Sequence, residues 1–439
     1  MNNTYTESKL KKNKFTLLLL VLSGALIYAL PYFKGYYYDV YIELFNLTAT
    51  QFASLGSVFG FISIFGYLFG GFIADKFSTR KLMVFSLIST GLLGFVLLTF
   101  PPYPVVFGIH ALWAVTSIVT YWSPLVKATR SIANPDEQGK AFGFMEGGRG
   151  VVNIVHASAM LALFSVIAGS TSNRSGLMTI IIGYSIINIV LGILLFVKFK
   201  DPYDPVVETN GKKEFINVPL LKKLLKMPTT WLAVIIIFTS YAMIINYYYF
   251  TPYTTEVFGA TTVVAAAFTI FSQYCRPIGS GLTGIIADKI GSSKILAICF
   301  IIMIVGIFGL TYTPGNPSFI YVVLVFAGAI YASMYGIQAM HYAILEEGDY
   351  PIETTGTLTA IICTLGYSAE FITPLIGGVL LDKFPGVAGY RYFFTFLGVL
   401  AILGLISTFA WMYLTKEKRF EIADKRKEIA IKAGAAQKN

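Results

Sequence analysis

The chain has 439 residues, of which 56% are apolar, 15% aromatic and only 13% charged, and its mean hydropathy is +0.69. Soluble domains average roughly 45–50% apolar and about 25% charged residues, so a water-soluble enzyme of one or two domains is excluded. The net charge of +10 does not point to nucleic acid either, because the basic residues cluster at the ends of apolar runs.

Those runs are too long and continuous for the alternating strands of a barrel, which predicts an all-α, multi-pass membrane protein. A span needs about 20 apolar residues. On that ruler twelve spans follow in chain order, at roughly 15–38, 50–73, 82–100, 104–126, 139–166, 177–198, 229–254, 261–286, 294–312, 317–341, 354–380 and 391–415. The first is read as a span and not as a cleaved signal, since no small-residue cleavage site follows it. An even number of spans puts both termini on one side of the membrane. That side collects 27 of the 33 basic residues, while the other holds Lys34, Arg174, Lys383 and Arg391. The positive-inside rule then places both termini in the cytoplasm, in the plasma (inner) membrane, with the basic loops touching anionic lipid heads.

The polar stretch 199–228 carries Pro202, Pro205, Gly211 and six lysines and reads as a cytoplasmic linker, with a surface helix over Val218–Lys226. It divides the chain into an N-terminal bundle (1–198), the linker (199–228), a C-terminal bundle (229–415) and a basic tail (416–439). Cys275, Cys299 and Cys363 all lie in apolar runs without CxxC or metal-ligand spacing, so neither a disulfide framework nor a metal site is expected.

The two halves repeat. GGFIADKFSTRK (Gly70–Lys81) follows the second span and TGIIADKIGSSK (Thr283–Lys294) the eighth, with Asp75 and Asp288 separated by 213 residues. Tyr28-Ala29 and Tyr241-Ala242 share that offset, and the triple tyrosines Tyr36–Tyr38 and Tyr247–Tyr249 correspond with a two-residue slip. Internal duplication is a common construction of secondary transporters, with the binding site near the midplane between repeats.

The doubled loop motif, with Gly71, Asp75 and Arg80 in one copy and Gly284, Asp288 and Lys294 in the other, resembles the signature of the major facilitator superfamily. Ser78, and the Ser292-Ser293 pair before Lys294, depart from its usual pattern. The resemblance implies a twelve-helix fold of two pseudo-symmetric six-helix bundles, monomeric, working by alternating access as symporter or antiporter, with the motif residues acting at a gate. It extends most closely to organophosphate and nitrate-type anion carriers: Lys34 falls near where organophosphate:phosphate antiporters place a binding base, and an arginine in the eighth span, here Arg276, recurs in carriers of oxalate-like and nitrate-like anions. The ordinary alternative for Lys34 is a lysine snorkelling to the interface beside the tyrosines.

Four ionisable residues fall deep within spans: Glu146, Arg149, Arg276 and Glu370. Each costs about 2.5–3.5 kcal/mol to insert, which makes function the default reading. Arg149 is about 15 Å into its helix, and Arg276 lies about 18 Å along the axis from Asp288. In MEGGRGVVNIVH the residues Glu146, Arg149, Asn153 and His156 share one helical face. Ser272, Arg276 and Ser280 form a second stripe with Gln273 beside it, and Tyr331, Tyr335, Gln338 and His341 a third. Arginine recognises carboxylate, sulfonate or phosphate with paired hydrogen bonds and keeps its charge. Arg149 and Arg276 are therefore the expected anion ligands. Asn153, Gln273 and Lys34 join them, with Tyr28, Tyr241, Tyr331 and Tyr335 on spans that line the cavity in the resembled fold. Glu146, Glu370 and His156 are the candidates for charge pairing or proton coupling, with Glu146 opposite Arg149 and Glu370 opposite Arg276.

No P-loop, GxSxG or HExxH occurs, so no ATP-driven step, enzymatic centre or cofactor is expected. The resulting expectation is a secondary active or facilitative transporter of a small polar organic anion, by uniport or with a proton or a counter-anion as coupling partner. A zwitterion such as an amino acid or dipeptide is the second substrate class. A non-transporting sensor on the same fold is the alternative of another kind.

Overall fold

The computed structural model describes residues 8–134, 137–200, 218–348, 350 and 355–424. Most of the linker and the end of the basic tail lie outside the described residues. Among the described residues the chain is helical throughout. The principal helices are α1 (Lys14–Leu26), α2 (Tyr38–Phe45), α3 (Ala49–Lys76), α4 (Thr79–Leu97), α5 (Tyr103–Ala114), α6 (Trp122–Ser131), α7 (Gln138–Ser170) and α8 (Asn173–Lys198). They continue with α9 (Val218–Leu225), α10 (Pro228–Asn246), α11 (Phe250–Phe258), α12 (Thr262–Ile290), α13 (Ser292–Tyr312), α14 (Ile320–Met340), α15 (Thr355–Gly366), α16 (Ala369–Lys383) and α17 (Val387–Leu414).

Eleven helical segments among the described residues are long and apolar enough to cross a membrane. The segment expected at 261–286 is the one that does not meet the apolar criterion. It forms α12, 29 residues long, but Ser272, Gln273, Arg276 and Ser280 dilute its apolar character. A helix that lines a polar cavity with one stripe reads this way.

Helix starts follow local chemistry. Thr48 and Gln51 form a reciprocal capping box before α3, Ser78 accepts from the Lys81 backbone before α4, and Pro228 opens α10. The second gate-like turn is made differently. Gly291 takes φ +98° before α13, and the buried Glu347 carboxylate accepts from the Ser293 N–H at 3.1 Å and from the Trp411 indole at 3.3 Å.

Several spans are interrupted. The first breaks at Ile27-Tyr28 and ends in a 3₁₀ turn, Phe33–Gly35, just before the first triple tyrosine; the second triple, Tyr247–Tyr249, is itself a 3₁₀ turn joining α10 to α11. A π turn at Val115–Val119 and a turn at Thr120-Tyr121 separate α5 from α6, and a turn at Tyr367-Ser368 separates α15 from α16. Such breaks free carbonyls and helix ends in the middle of a span, where side chains or a ligand must satisfy them.

The chain forms two compact units. One contains Met1–Lys212, Tyr248–Tyr274 and Glu370–Val387; the other contains Lys213–Tyr247, Cys275–Ala369 and Ala388–Asn439. In the first unit, α4 packs closely on α8, with Gly91 against the Ser185 carbonyl, and Asp382 at the end of α16 accepts from the first two N–H groups of α3. In the second, α13 packs on α14 and α10 on α15.

Candidate functional site

The first unit holds two charged clusters, each built on a helix break. At Tyr28 the N–H bonds back to Ala25 in 3₁₀ fashion, so the Gly24 carbonyl receives no intrahelical donor from it. Arg149 of α7 supplies the donor: Nε reaches Gly24 O at 2.9 Å. A Cβ at Gly24 would lie 3.3 Å from Arg149 Cδ and 2.9 Å from Leu125, so the missing side chain is what admits the guanidinium. Arg149 Nη1 pairs with Glu146 at 2.8 Å, as the one-turn spacing suggests, and the guanidinium lies over the rings of Trp122 (5.0 Å) and Tyr28 (5.8 Å). The Tyr28 hydroxyl in turn donates to the Ser117 carbonyl in the π turn at 3.2 Å. Further along the same face His156 joins Asn153 (3.2 Å) and Tyr184 (2.9 Å).

The second cluster centres on Lys34. It does not snorkel: the residue is 4% exposed. Its 3₁₀ turn is docked, because Thr251 donates to the Gly35 carbonyl at 3.0 Å and Gly35 has no room for a Cβ beside Tyr248. Lys34 Nζ stands 4.3 Å over the Phe52 ring and 5.5 Å from that of Tyr248. Among the described residues no carboxylate oxygen lies within 4.0 Å of it. Phe52, Gly56 and Gly60 follow one stripe of α3. A Cβ at Gly56 would be 3.9 Å from Lys34 Nζ and 3.8 Å from the Tyr248 hydroxyl; one at Gly60 would strike Glu370 Cγ at 2.7 Å. The glycines thus open a groove, with Lys34 over one and Glu370 over the next. Glu370 is 4% exposed, sits in the first turn of α16 and accepts from the Tyr32 hydroxyl at 2.7 Å. Gln273 is buried in this unit and contacts Ser272.

The second unit carries the rest of the expected residues. Arg276 lies over Tyr335 at 5.5 Å, and Ser280 donates to the Tyr335 carbonyl. Tyr331 is fully buried beside Tyr247. Tyr241 packs on Tyr367 at 4.4 Å, Tyr367 bonds Tyr342, and His341 bonds Ser240 at 2.8 Å. Arg276 and Glu370, expected as opposites, fall in different units.

The gate-motif residues are at helix ends. Gly71 and Gly284 border open space, Arg80 covers the Phe196 ring at 5.5 Å, and Asp288 and Lys294 are exposed. The Asp75 side chain lies outside the described residues. Lys127 caps the end of α3 through the Ala74 carbonyl at 2.9 Å.

Sequence reasoning passed over Tyr32, Phe52, Gly56, Gly60, Trp122 and Tyr248. One signal was there to find: Gly56 and Gly60 are four apart in an apolar helix, the spacing that lets another backbone or a polar group approach closely.

The sequence profile of the Major Facilitator Superfamily matches residues 15–372. The chain belongs to that superfamily. Two Escherichia coli K12 relatives are similar over nearly their whole length. Inner membrane protein YihN is 32% identical, covering 90% of this chain and 95% of the relative; inner membrane protein YqcE is 29% identical, covering 91% and 94%. Among solved structures, the nucleoside transporter NupG superposes with a TM-score of 0.69 at 13% identity, covering 91% of this chain and 98% of its own. A bacterial homologue of the lysosomal transporter Spinster gives 0.69 at 14%, covering 92% and 97%, and a D-xylose–proton symporter 0.67 at 16%, covering 91% and 96%. The protein is a multi-pass membrane protein of the superfamily with the fold of its secondary transporters.

Proposed function

We propose that the protein is a secondary transporter of a small polar organic anion, working by alternating access. The observation that carries this reading is the Lys34 ammonium, 4% exposed, without a carboxylate within 4.0 Å among the described residues, above a groove that glycine leaves open. A lone cation inside a membrane bundle costs several kcal/mol, and an anionic ligand removes that cost. Arg149, held between Trp122 and Tyr28, and Arg276 over Tyr335 provide further cationic contacts in the two units. Asn153, Gln273, Tyr241 and Tyr331 supply polar groups for orientation. The doubled loop motif acts at a gate.

The proposal includes twelve spans with α12 as the eighth, both termini in the cytoplasm, an inner-membrane location, a monomer in contact with anionic lipid, and no nucleic-acid partner. The nearest functional branch is that of organophosphate and nitrate-type anion carriers. One observation favours a zwitterion as second reading: a buried carboxylate, Glu370, stands one helical turn along the same groove.

A thermal-shift screen of the detergent-purified protein decides between them, since binding to the folded state raises the midpoint by mass action. Stabilisation by D-glucuronate, glycerate or isethionate, followed by counterflow of that anion in vesicles, supports the reading. Stabilisation by alanyl-alanine alone moves the assignment to a zwitterion, and by glucose alone refutes both.

A further inference from the structure

Before the first span the chain makes a single helical turn, Lys9–Lys12, docked on the loop that joins α6 to α7; both lie in the first unit. Four lysines in the six residues Lys9–Lys14 repel one another, and so short a turn would fray on its own. It is held by caps. The Ser8 hydroxyl accepts from the Lys11 N–H at 3.1 Å. The Glu137 carboxylate, from the loop, accepts from the Ser8 hydroxyl and from the Leu10 N–H at 3.1 Å, and on its own side from the Asn134 N–H at 3.1 Å. Leu10 is turned inward and 8% exposed. The loop is closed in turn by the Gln138 amide, which donates to the carbonyls of Arg130, Ala133 and Asn134.

Fixing the turn fixes its charges. Lys9, Lys11 and Lys14 are exposed, and so are Arg130 and Lys140 on the two arms of the loop. Among the described residues of these two segments the one acid is Glu137, which is buried with its oxygens occupied by three donors. Next along the chain the first span leaves Phe15 52% and Leu18 50% exposed. Open apolar side chains on a spanning helix face hydrocarbon, so the bases beside them stand at headgroup level. A soluble acidic partner could meet the bases but not the apolar turn below them.

We infer that this basic collar is a binding site for the phosphate headgroup of an anionic phospholipid, held by the lysines of the docked turn together with Arg130 and Lys140. The cytoplasmic N-terminus proposed above decides only which leaflet supplies the lipid; headgroup binding stands or falls apart from that reading and from the transported anion. A phosphate there bridges the start of the first span and the loop between the fourth and fifth, the spans that carry Lys34, Trp122 and Arg149. Each base near such a headgroup strengthens binding about fivefold.

The test uses the full-length protein in neutral detergent, titrated with phosphatidylglycerol, phosphatidylcholine or inorganic phosphate, with dissociation constants read from the thermal midpoint. Phosphatidylglycerol is expected to stabilise the wild type where the other two do not. The triple variant Lys9→Gln/Lys11→Gln/Lys14→Gln weakens that response on the order of a hundredfold. The same loss of charge on α9, Lys222→Gln/Lys223→Gln/Lys226→Gln, changes it by less than about fivefold. Equal losses in the two triples, no response to phosphatidylglycerol, or an equal response to phosphatidylcholine or phosphate each overturn the site. Glu137→Gln separates a built site from a general attraction to positive charge. It raises the net charge by one, so general attraction tightens binding, whereas release of the turn weakens it about fivefold or more. Binding as tight as wild type or tighter overturns the inference. Should that variant not fold, Ser8→Ala decides, because it alters no charge and lies outside the span; weaker binding is expected, and unchanged binding overturns the inference.

Discussion

Replacing Lys34 by methionine separates a binding role from a structural one. Methionine keeps the length and apolar stem of lysine and removes the ammonium. The ammonium sits 4.3 Å over Phe52 and 5.5 Å from Tyr248, with no carboxylate within 4.0 Å among the described residues. Holding the charge there costs about 2.5–3.5 kcal/mol on the insertion scale. The ring contacts return about 0.5–2 kcal/mol of that. The buried Glu370 carboxylate, which attracts the ammonium and would lose its countercharge, offsets the remainder, so Lys34→Met is expected to leave the stability of the folded protein within about 1 kcal/mol of wild type. The same change abolishes the extra stabilisation that an anion confers on wild type, which amounts to about 2.7 kcal/mol at a ligand concentration one hundred times the dissociation constant. Thermal unfolding with and without glucuronate reads both effects in one experiment. A Lys34→Met protein that is destabilised by about 1 kcal/mol or more and still responds to the anion refutes the reasoning, because Lys34 would then be a packing residue whose charge the fold satisfies unaided.

Arg149→Lys leaves either the Gly24 carbonyl or Glu146 without its donor, since one ammonium cannot reproduce a guanidinium that spans both; the expected cost is about 2 kcal/mol in thermal unfolding, together with weaker anion binding. Asp382→Asn weakens two charge-assisted bonds to the Ala49 and Thr50 amides, at 2.9 and 2.8 Å. Discounted for exposure, that is about 1.4 kcal/mol, so hydrogen exchange at the start of α3 should quicken about tenfold, and an unchanged rate refutes the cap. Asp39 lies between the first two spans, where burial above all, with Glu256 adding to it and a Thr255 hydrogen bond opposing, pushes its carboxyl up to about 6 from 3.8. A raised carboxyl contributes stability that is complete below its ordinary value and lost as pH rises through about 6. Asp39→Asn should therefore be the more stable protein near neutrality, by about 1 kcal/mol, and should lose that part of the pH dependence of its thermal midpoint.

Composition and hydropathy by themselves determined that this is a helical membrane protein. Each apolar run must satisfy its own backbone in lipid, so a span is legible one segment at a time. The duplicated loop motif around Asp75 and Asp288 determined the superfamily for a similar reason: both copies are short, local and written in order along the chain. The Glu146–Arg149 pair was equally legible, because a helix brings residues three apart together without help from the rest of the fold. Even α12 was recoverable as a helix from sequence; its polar stripe only hides it from a measure of average hydropathy.

What tertiary structure decided was which groups meet across helices. Nothing local marks Lys34 as buried, since a lysine beside tyrosines near a span end ordinarily reaches for water. It points inward because its turn is docked through Gly35 on Tyr248 and Thr251, some 210 residues away along the chain. Glu370 accepts from the Tyr32 hydroxyl, 338 residues away along the chain, and sits against Gly60 of α3, neither of which any local pattern announces. The Gly24 carbonyl that fixes Arg149 is open only because the first span breaks at Tyr28. Charge in a low-dielectric interior is governed by separations of a few ångströms between distant parts of the sequence, and those separations are set by packing.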